Sequence, residues 1–251
     1  MHPIVEQIYA TKTVSDGTTT YSALNEQGQP TYMDRAEGEL LQRVIADVQP
    51  TSTLEVGMAY GVSTVFICEA LAKLPSSAAH IAIDPYQHEK WRGIGMHNVA
   101  AAGFGTLVTL LEERSELCLP RLLQERREIQ MALIDGLHVF EQCALEFYYI
   151  DRLLPVGGVV VFDDVDWPPI RRVVRMVLGY GTYRVKAHTG GDTRGTWKGT
   201  LRQLLRRVPG ADGIFAQDLL VRDWELGFGG TCVALEKIRS GRRTHGEYKP
   251  F

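Results

Sequence analysis

The stretch Thr53-Leu54-Glu55-Val56-Gly57-Met58-Ala59-Tyr60-Gly61-Val62-Ser63-Thr64 decides how the rest of the chain is read. Leu54 to Val56 is a short strand-like run, Gly57 and Gly61 bracket a turn, and the residues after Gly61 resume at helical spacing. Strand, glycine turn and helix in that order open a β-α-β unit. Only two glycines stand here, four apart, so the G-x-G-x-x-G pattern that wraps amides around a pyrophosphate is incomplete. A glycine after the strand still lets a ligand approach the main chain. Glu55, two residues earlier, suits a ligand bearing a cationic amine.

Outward from this turn, apolar runs near 53–57, 80–84, 106–111, 130–135 and 158–163 alternate with helical patterns near 62–74, 88–102, 116–126, 139–153 and 168–178. Five such units predict an α/β fold: a doubly wound, Rossmann-like parallel sheet with helices on both faces. Each strand ends in small or acidic residues, and ligands of open parallel sheets bind at those ends, so the loops are expected to share one crevice. Upstream, Glu39 to Val48 reads as a helix that stops before Pro50. The turn-forming runs Asp16-Gly17-Thr18-Thr19-Thr20 and Asn25-Glu26-Gln27-Gly28-Gln29-Pro30 predict an arm or lid over 1–34, outside the core. After residue 180 the alternation stops. Two more strands are expected, at 183–187 and 231–236, separated by an insertion at about 188–229 that contains the amphipathic Leu201 to Arg207. One domain, 35–251, is therefore expected.

With 251 residues, 45% hydrophobic and 23% charged, the chain has material for a sizeable core, which excludes wholesale disorder. The longest purely apolar runs, such as Val159 to Phe162, fall far short of the ~20 residues of a membrane span. The start lacks a secretory pattern. A soluble cytoplasmic protein without membrane contact is expected. Cys68, Cys118, Cys143 and Cys232 form no C-x-x-C pair and read as buried hydrophobes in a reducing compartment. The net charge of −3 hides an asymmetry: residues 171–251 hold 16 Lys/Arg against 7 Asp/Glu, residues 1–170 hold 11 against 23. Arginines interleaved with apolar residues, as in Arg171-Arg172-Val173-Val174-Arg175-Met176, suit an amphipathic helix whose basic face is solvated or meets another subunit in a homo-oligomer.

Asp84 closes the second strand 23 residues beyond Gly61, close to the spacing at which an acid holds ribose hydroxyls. Ile134-Asp135-Gly136-Leu137-His138 and Phe162-Asp163-Asp164 end neighbouring strands, which would bring three carboxylates into one patch. Their repulsion calls for a proton or a cation, and a hard divalent ion such as Mg²⁺ answers it. Asp164 or Asp166 could instead cap the helix that begins near Pro168-Pro169. His138 stands at the crevice mouth. Trp91 reads as packing against the cofactor or the core.

Taken together, E-x-G-x-x-x-G-x-S (from Glu55), I-D-P-Y (from Ile83), I-D-G-x-H (from Ile134) and P-x-G-G-x-x-x-x-D-D (from Pro155) resemble the class I S-adenosylmethionine-dependent methyltransferases, in the branch of catechol-type and macrolide-sugar O-methyltransferases. The resemblance covers roughly residues 35 to 180. It implies a seven-stranded sheet, mostly parallel with an antiparallel last strand. It also implies that Glu55, Gly57, Ala59, Gly61, Ser63, Asp84, Ser115, Glu116 and Asp135 bind S-adenosylmethionine, with Ser115-Glu116 bordering the adenine. Asp135, Asp163 and Asp164 would bind Mg²⁺, and Asp135 and His138 would be catalytic, the histidine as general base. Asp166-Trp167-Pro168-Pro169 lies after the wrong strand, and is interrupted by a tryptophan, for the D-P-P-Y motif of nucleic-acid N-methyltransferases, so no nucleic-acid partner is expected. The leading expectation is a Mg²⁺-assisted O-methyltransferase of a small-molecule hydroxyl, on a sugar or secondary metabolite. A metal-independent enzyme of the same fold and a non-catalytic cofactor-binding protein stand beside it.

Overall fold

The computed structural model describes residues 1–190 and 223–241. Most of the expected insertion, including Leu201 to Arg207, and the C-terminal residues 242–251 lie outside the described residues. In chain order the elements are α1 (Pro3–Thr11), β1 (Thr13–Ser15), β2 (Thr20–Ser22), α2 (Arg35–Val48), β3 (Ser52–Val56), α3 (Val62–Leu71), β4 (Ala79–Ile83), α4 (Ile94–Ala101), β5 (Val108–Leu111), α5 (Ser115–Gln124), β6 (Met131–Ile134), α6 (Phe140–Leu153), β7 (Val159–Phe162), α7 (Pro168–Gly179), β8 (Tyr183–His188) and β9 (Val233–Lys237), with a 3-10 turn at Asp223–Leu226.

Seven strands form one sheet in the order β5-β4-β3-β6-β7-β9-β8. The pairs from β5 to β7 are parallel, and β9 runs antiparallel to both its neighbours. β6 and β7 are buried on both faces, as strands between two helical layers must be. Alternate residues divide between two cores. Met131, Leu133, Val159 and Val161 join α2, α3 and α4 on one face, and Leu54, Val56, Ala132, Ile134, Val160 and Phe162 join α5, α6 and α7 on the other.

Three local readings change. The helix expected from residue 88 begins only at Ile94, because Arg92 and Gly93 take left-handed φ values of 56° and 70°. Neither Asp164 nor Asp166 caps α7, whose N-cap is Trp167, without a side-chain bond. The first 34 residues are not outside the core: Val5 and Ile8, one helical turn apart on α1, are buried with Val14, Ala23 and Met33 against the α2 and α3 face. Asp34 then caps α2 by accepting from Glu37 N at 2.9 Å, while the Glu37 carboxylate accepts from Asp34 N at 2.8 Å.

Candidate active site

The chain winds outward from β3 to β5 and then crosses to β6, so the sheet reverses its winding between β3 and β6. At the carboxyl ends of these strands lies a cleft of about 900 Å³. Its glycine turn is held from two sides. Gly57 has φ +91°, and a Cβ there would stand 2.0 Å from the Asp135 carbonyl oxygen, so only glycine lets β3 run this close to the end of β6. Asp84, buried at the end of β4, accepts from Met58 N (3.1 Å), Ala59 N (2.8 Å) and Gln87 Nε2 (3.1 Å) through Oδ2, and from Tyr86 N (2.9 Å) through Oδ1. Ala59 is consequently held at φ +45°.

Gly57, Ala59, Ser63 and Asp84 line the cleft. Glu55 and Gly61 do not. Thr53 and Glu55 project to the α3 face, where Glu55 accepts from Ser63 Oγ at 2.9 Å and from Thr64 Oγ1 and lies 3.2 Å from His80 Nε2. Its charge thus faces the first turn of α3 rather than a ligand amine. Gly61 serves packing: a Cβ there would stand 2.8 Å from the Gly95 carbonyl oxygen.

At the ends of β6 and β7, His138 Nε2 lies 2.7 Å from Asp164 Oδ2 and 3.7 Å from Asp135 Oδ1. Asp135, His138 and Asp164 each offer a ligand atom within 4.8 Å of the others. Asp163, expected as the third member, is not in this group. It continues the register of Val159 and Val161 and is buried, but it lines the same cleft, with Oδ1 unpartnered. Asp164 lines the cleft as well, with its backbone at φ +52°, a conformation that aspartate tolerates better than most residues. Burial, aided by Asp164, pushes the Asp135 carboxyl up to about 7, and contact with Asp135 and Asp164 pushes the His138 imidazole up to about 10. Burial, then the charges of Asp135 and Glu37, holds Asp163 well above the carboxylate range. His138 is thus an imidazolium among acids. Trp167, half exposed, tilts over its ring at 5.3 Å.

Beyond the glycine turn, Ser115 and Glu116 line the cleft at the start of α5. Behind them Ser115 Oγ donates to Glu146 Oε1 at 2.8 Å, and burial pushes the Glu146 carboxyl up to about 7. Several lining residues have no counterpart in the sequence reading: Tyr32 and Met33 ahead of α2, Glu37, and Gln142 and Glu146 on α6. Glu37 accepts from Thr231 Oγ1, which ties the start of α2 to the approach to β9. Its D-x-x-E spacing with Asp34 signals a helix start and says nothing of a cleft. Trp91, set edge-on to Tyr60 at 5.0 Å, lines the cleft as well.

Residues 54–165 match the family model described as a methyltransferase domain. The chain is 25% identical over 160 residues to the mouse (Mus musculus) transmembrane O-methyltransferase homolog, which covers 62% of this chain and 60% of that protein. It is 26% identical over 166 residues to the human (Homo sapiens) transmembrane O-methyltransferase, covering 64% and 54%. The chain thus spans about 60% of the length of the mouse relative. Among the described residues no helix is long and apolar enough to cross a membrane. Similar solved structures include the O-methyltransferase TomG from Streptomyces achromogenes with S-adenosylmethionine, at TM-score 0.54 and 22% identity over 62% of this chain and 74% of that one. Another is the Bacillus cereus O-methyltransferase with S-adenosylhomocysteine, at 0.59 and 16% over 74% and 83%. The fold expected from the motifs is the fold of these chains.

Proposed function

We infer that this chain, whose residues 54–165 make a methyltransferase domain of the class I fold, is an S-adenosylmethionine-dependent O-methyltransferase that methylates a small-molecule hydroxyl with the help of a divalent cation. The observation that carries this reading is the convergence of Asp135, His138 and Asp164 beside the Gly57 turn.

The donor set fits a hard cation. Asp135 and Asp164 would hold Mg²⁺ through carboxylate oxygens, and Asp163, which lines the same cleft with Oδ1 unpartnered, would offer a further oxygen once a cation favours its ionised form. When bound, Mg²⁺ supplies Lewis-acid charge that lowers the pKa of an acceptor hydroxyl. The chain's own residues do the rest. Gly57 lets the turn after β3 pack against the end of β6 at the cleft floor, and Asp84 holds that turn while Oδ1, with one backbone donor, keeps acceptor capacity for a ribose hydroxyl. His138 must be neutral to take the acceptor's proton. With the carboxylates engaged by a cation, it loses the two partners that hold its own proton. Trp167 packs beside the imidazole, which stays open to the cleft. Polar Asn25, Gln27 and Gln29 with aromatic Tyr32 and Trp167 around the cleft suit a hydroxylated ring such as a sugar or secondary metabolite.

A metal-independent enzyme is the second reading, favoured by the His138–Asp164 ion pair, which by itself neutralises part of the acidic patch. Calorimetry with S-adenosylmethionine and a methyl-transfer assay under chelation test both. Micromolar-range binding with turnover lost on chelation and restored by Mg²⁺ supports the first reading. Turnover that survives exhaustive chelation selects the second, and absence of cofactor binding removes both.

A further inference from the structure

Gln87 follows Asp84 in the loop after β4, wholly buried behind the residues that line the cleft. Its Nε2 donates to the Ala59 carbonyl at 2.8 Å and to Asp84 Oδ2 at 3.1 Å. Asp84 Oδ2 in turn accepts from Ala59 N at 2.8 Å. The Gln87 amide, the Asp84 carboxylate and the main chain of Ala59 therefore close a ring of hydrogen bonds around a residue held at φ +45°. Both neighbours of Nε2 are acceptors. Turning the amide over would set its carbonyl against them, so the ring dictates its orientation.

Packing does not account for this side chain. Its Oε1 is buried without a partner, a cost that an apolar residue of the same length would avoid. A Cβ on Gly95 would stand 2.6 Å from the Ala59 oxygen and 2.8 Å from Gln87 Oε1, so the first turn of α4 backs the ring closely. What the amide supplies is its two protons. With Met58 N, Ala59 N and Gln87 Nε2 all on Oδ2, that oxygen is filled, while Oδ1 carries Tyr86 N alone. A ligand hydroxyl that reaches Asp84 from the cleft is thus left to Oδ1.

Resting on the methyltransferase reading above, we propose that Gln87 is a positioning residue for the cofactor sugar: by tying Asp84 Oδ2 and the Ala59 carbonyl together, it fixes how Oδ1 meets the ribose hydroxyls. Without the amide, the Ala59 carbonyl loses this partner. The left-handed turn is then free to relax and to carry the carboxylate with it.

The test is calorimetric binding, to the full chain, of S-adenosylhomocysteine and of S-dideoxyadenosylhomocysteine, which lacks both ribose hydroxyls. Wild type is compared with Gln87→Met, which keeps the length of the side chain and removes its donors. The substitution should weaken S-adenosylhomocysteine about tenfold and the dideoxy compound less than about twofold, because only the first has hydroxyls for Oδ1 to receive. Equal losses for both compounds, or undiminished binding of S-adenosylhomocysteine, overturn the proposal. If melting curves show that neither Gln87→Met nor Gln87→Leu folds, the amide is a structural strut and the proposal is overturned as well. A wild type that binds neither compound overturns the methyltransferase reading and this proposal with it.

Discussion

His138 is the residue on which the proposed chemistry turns, because the same two carboxylates that orient it also keep it protonated. Its replacement by alanine should lower turnover by about 10² to 10⁴ in a steady-state assay while leaving the calorimetric affinity for S-adenosylhomocysteine within about twofold. Near wild-type turnover would reduce the histidine to a structural counter-ion. Its legibility is instructive. The spacing from Asp135 to His138 pointed to the crevice mouth, and the two residues do meet there. In the neighbouring Asp163-Asp164 pair, adjacent residues leaving a strand would face opposite ways, and the left-handed backbone at Asp164, with which both line the cleft, has no sequence mark. Glu55 misled for a related reason. An acid before a glycine turn is equally suited to a ligand amine and to the first turn of the following helix, and only the register of β3 chooses between them.

The elements themselves were easier to read. Largely buried strands bounded by glycine and acidic residues mark their own ends, which is why β3, β4, β6 and β7 fall within two residues of expectation. α1 escaped notice because it is short and buries only Val5 and Ile8, too few positions for a helical period to stand out. Two substitutions measure how these elements hold the cleft. Gly57→Ala drives a methyl into the Asp135 carbonyl and strains the left-handed backbone, so denaturant unfolding should reveal a loss on the order of 2 to 4 kcal/mol, with cofactor binding lost in parallel. Asp34→Ala removes half of the capping box on α2 and should cost about 1 kcal/mol in the same experiment. A neutral outcome for Gly57→Ala would mean that β3 and β6 can separate without consequence.

For the whole molecule, the two-sided sheet and its switch point were legible from the strand and helix alternation, whereas the inclusion of the N-terminal residues in the core was not, since it depends on contacts distant in sequence. Global stability should carry the mark of Glu146. Its carboxyl is raised to about 7 in the fold from ~4.3 in an unfolded chain, so the folded state holds the proton more tightly between those values, and stability falls as pH rises through that window and stays low above it. The melting temperature of Glu146→Gln relative to wild type should therefore increase from pH 5 to pH 8, and a constant difference would contradict the buried carboxyl's role. The position of β9 has a further consequence. This last strand sits inside the sheet, between β7 and β8, and Lys237 at its end donates to the carbonyls of Asp151 and Leu154 that close α6. On the ribosome, β7 emerges about 70 residues before its partner, and at ~5 to 20 residues per second its open edge waits several seconds. Until then the nascent chain presents a hydrophobic strand with one side unpaired, a natural landing place for a chaperone and the step at which synthesis speed governs the yield of folded protein.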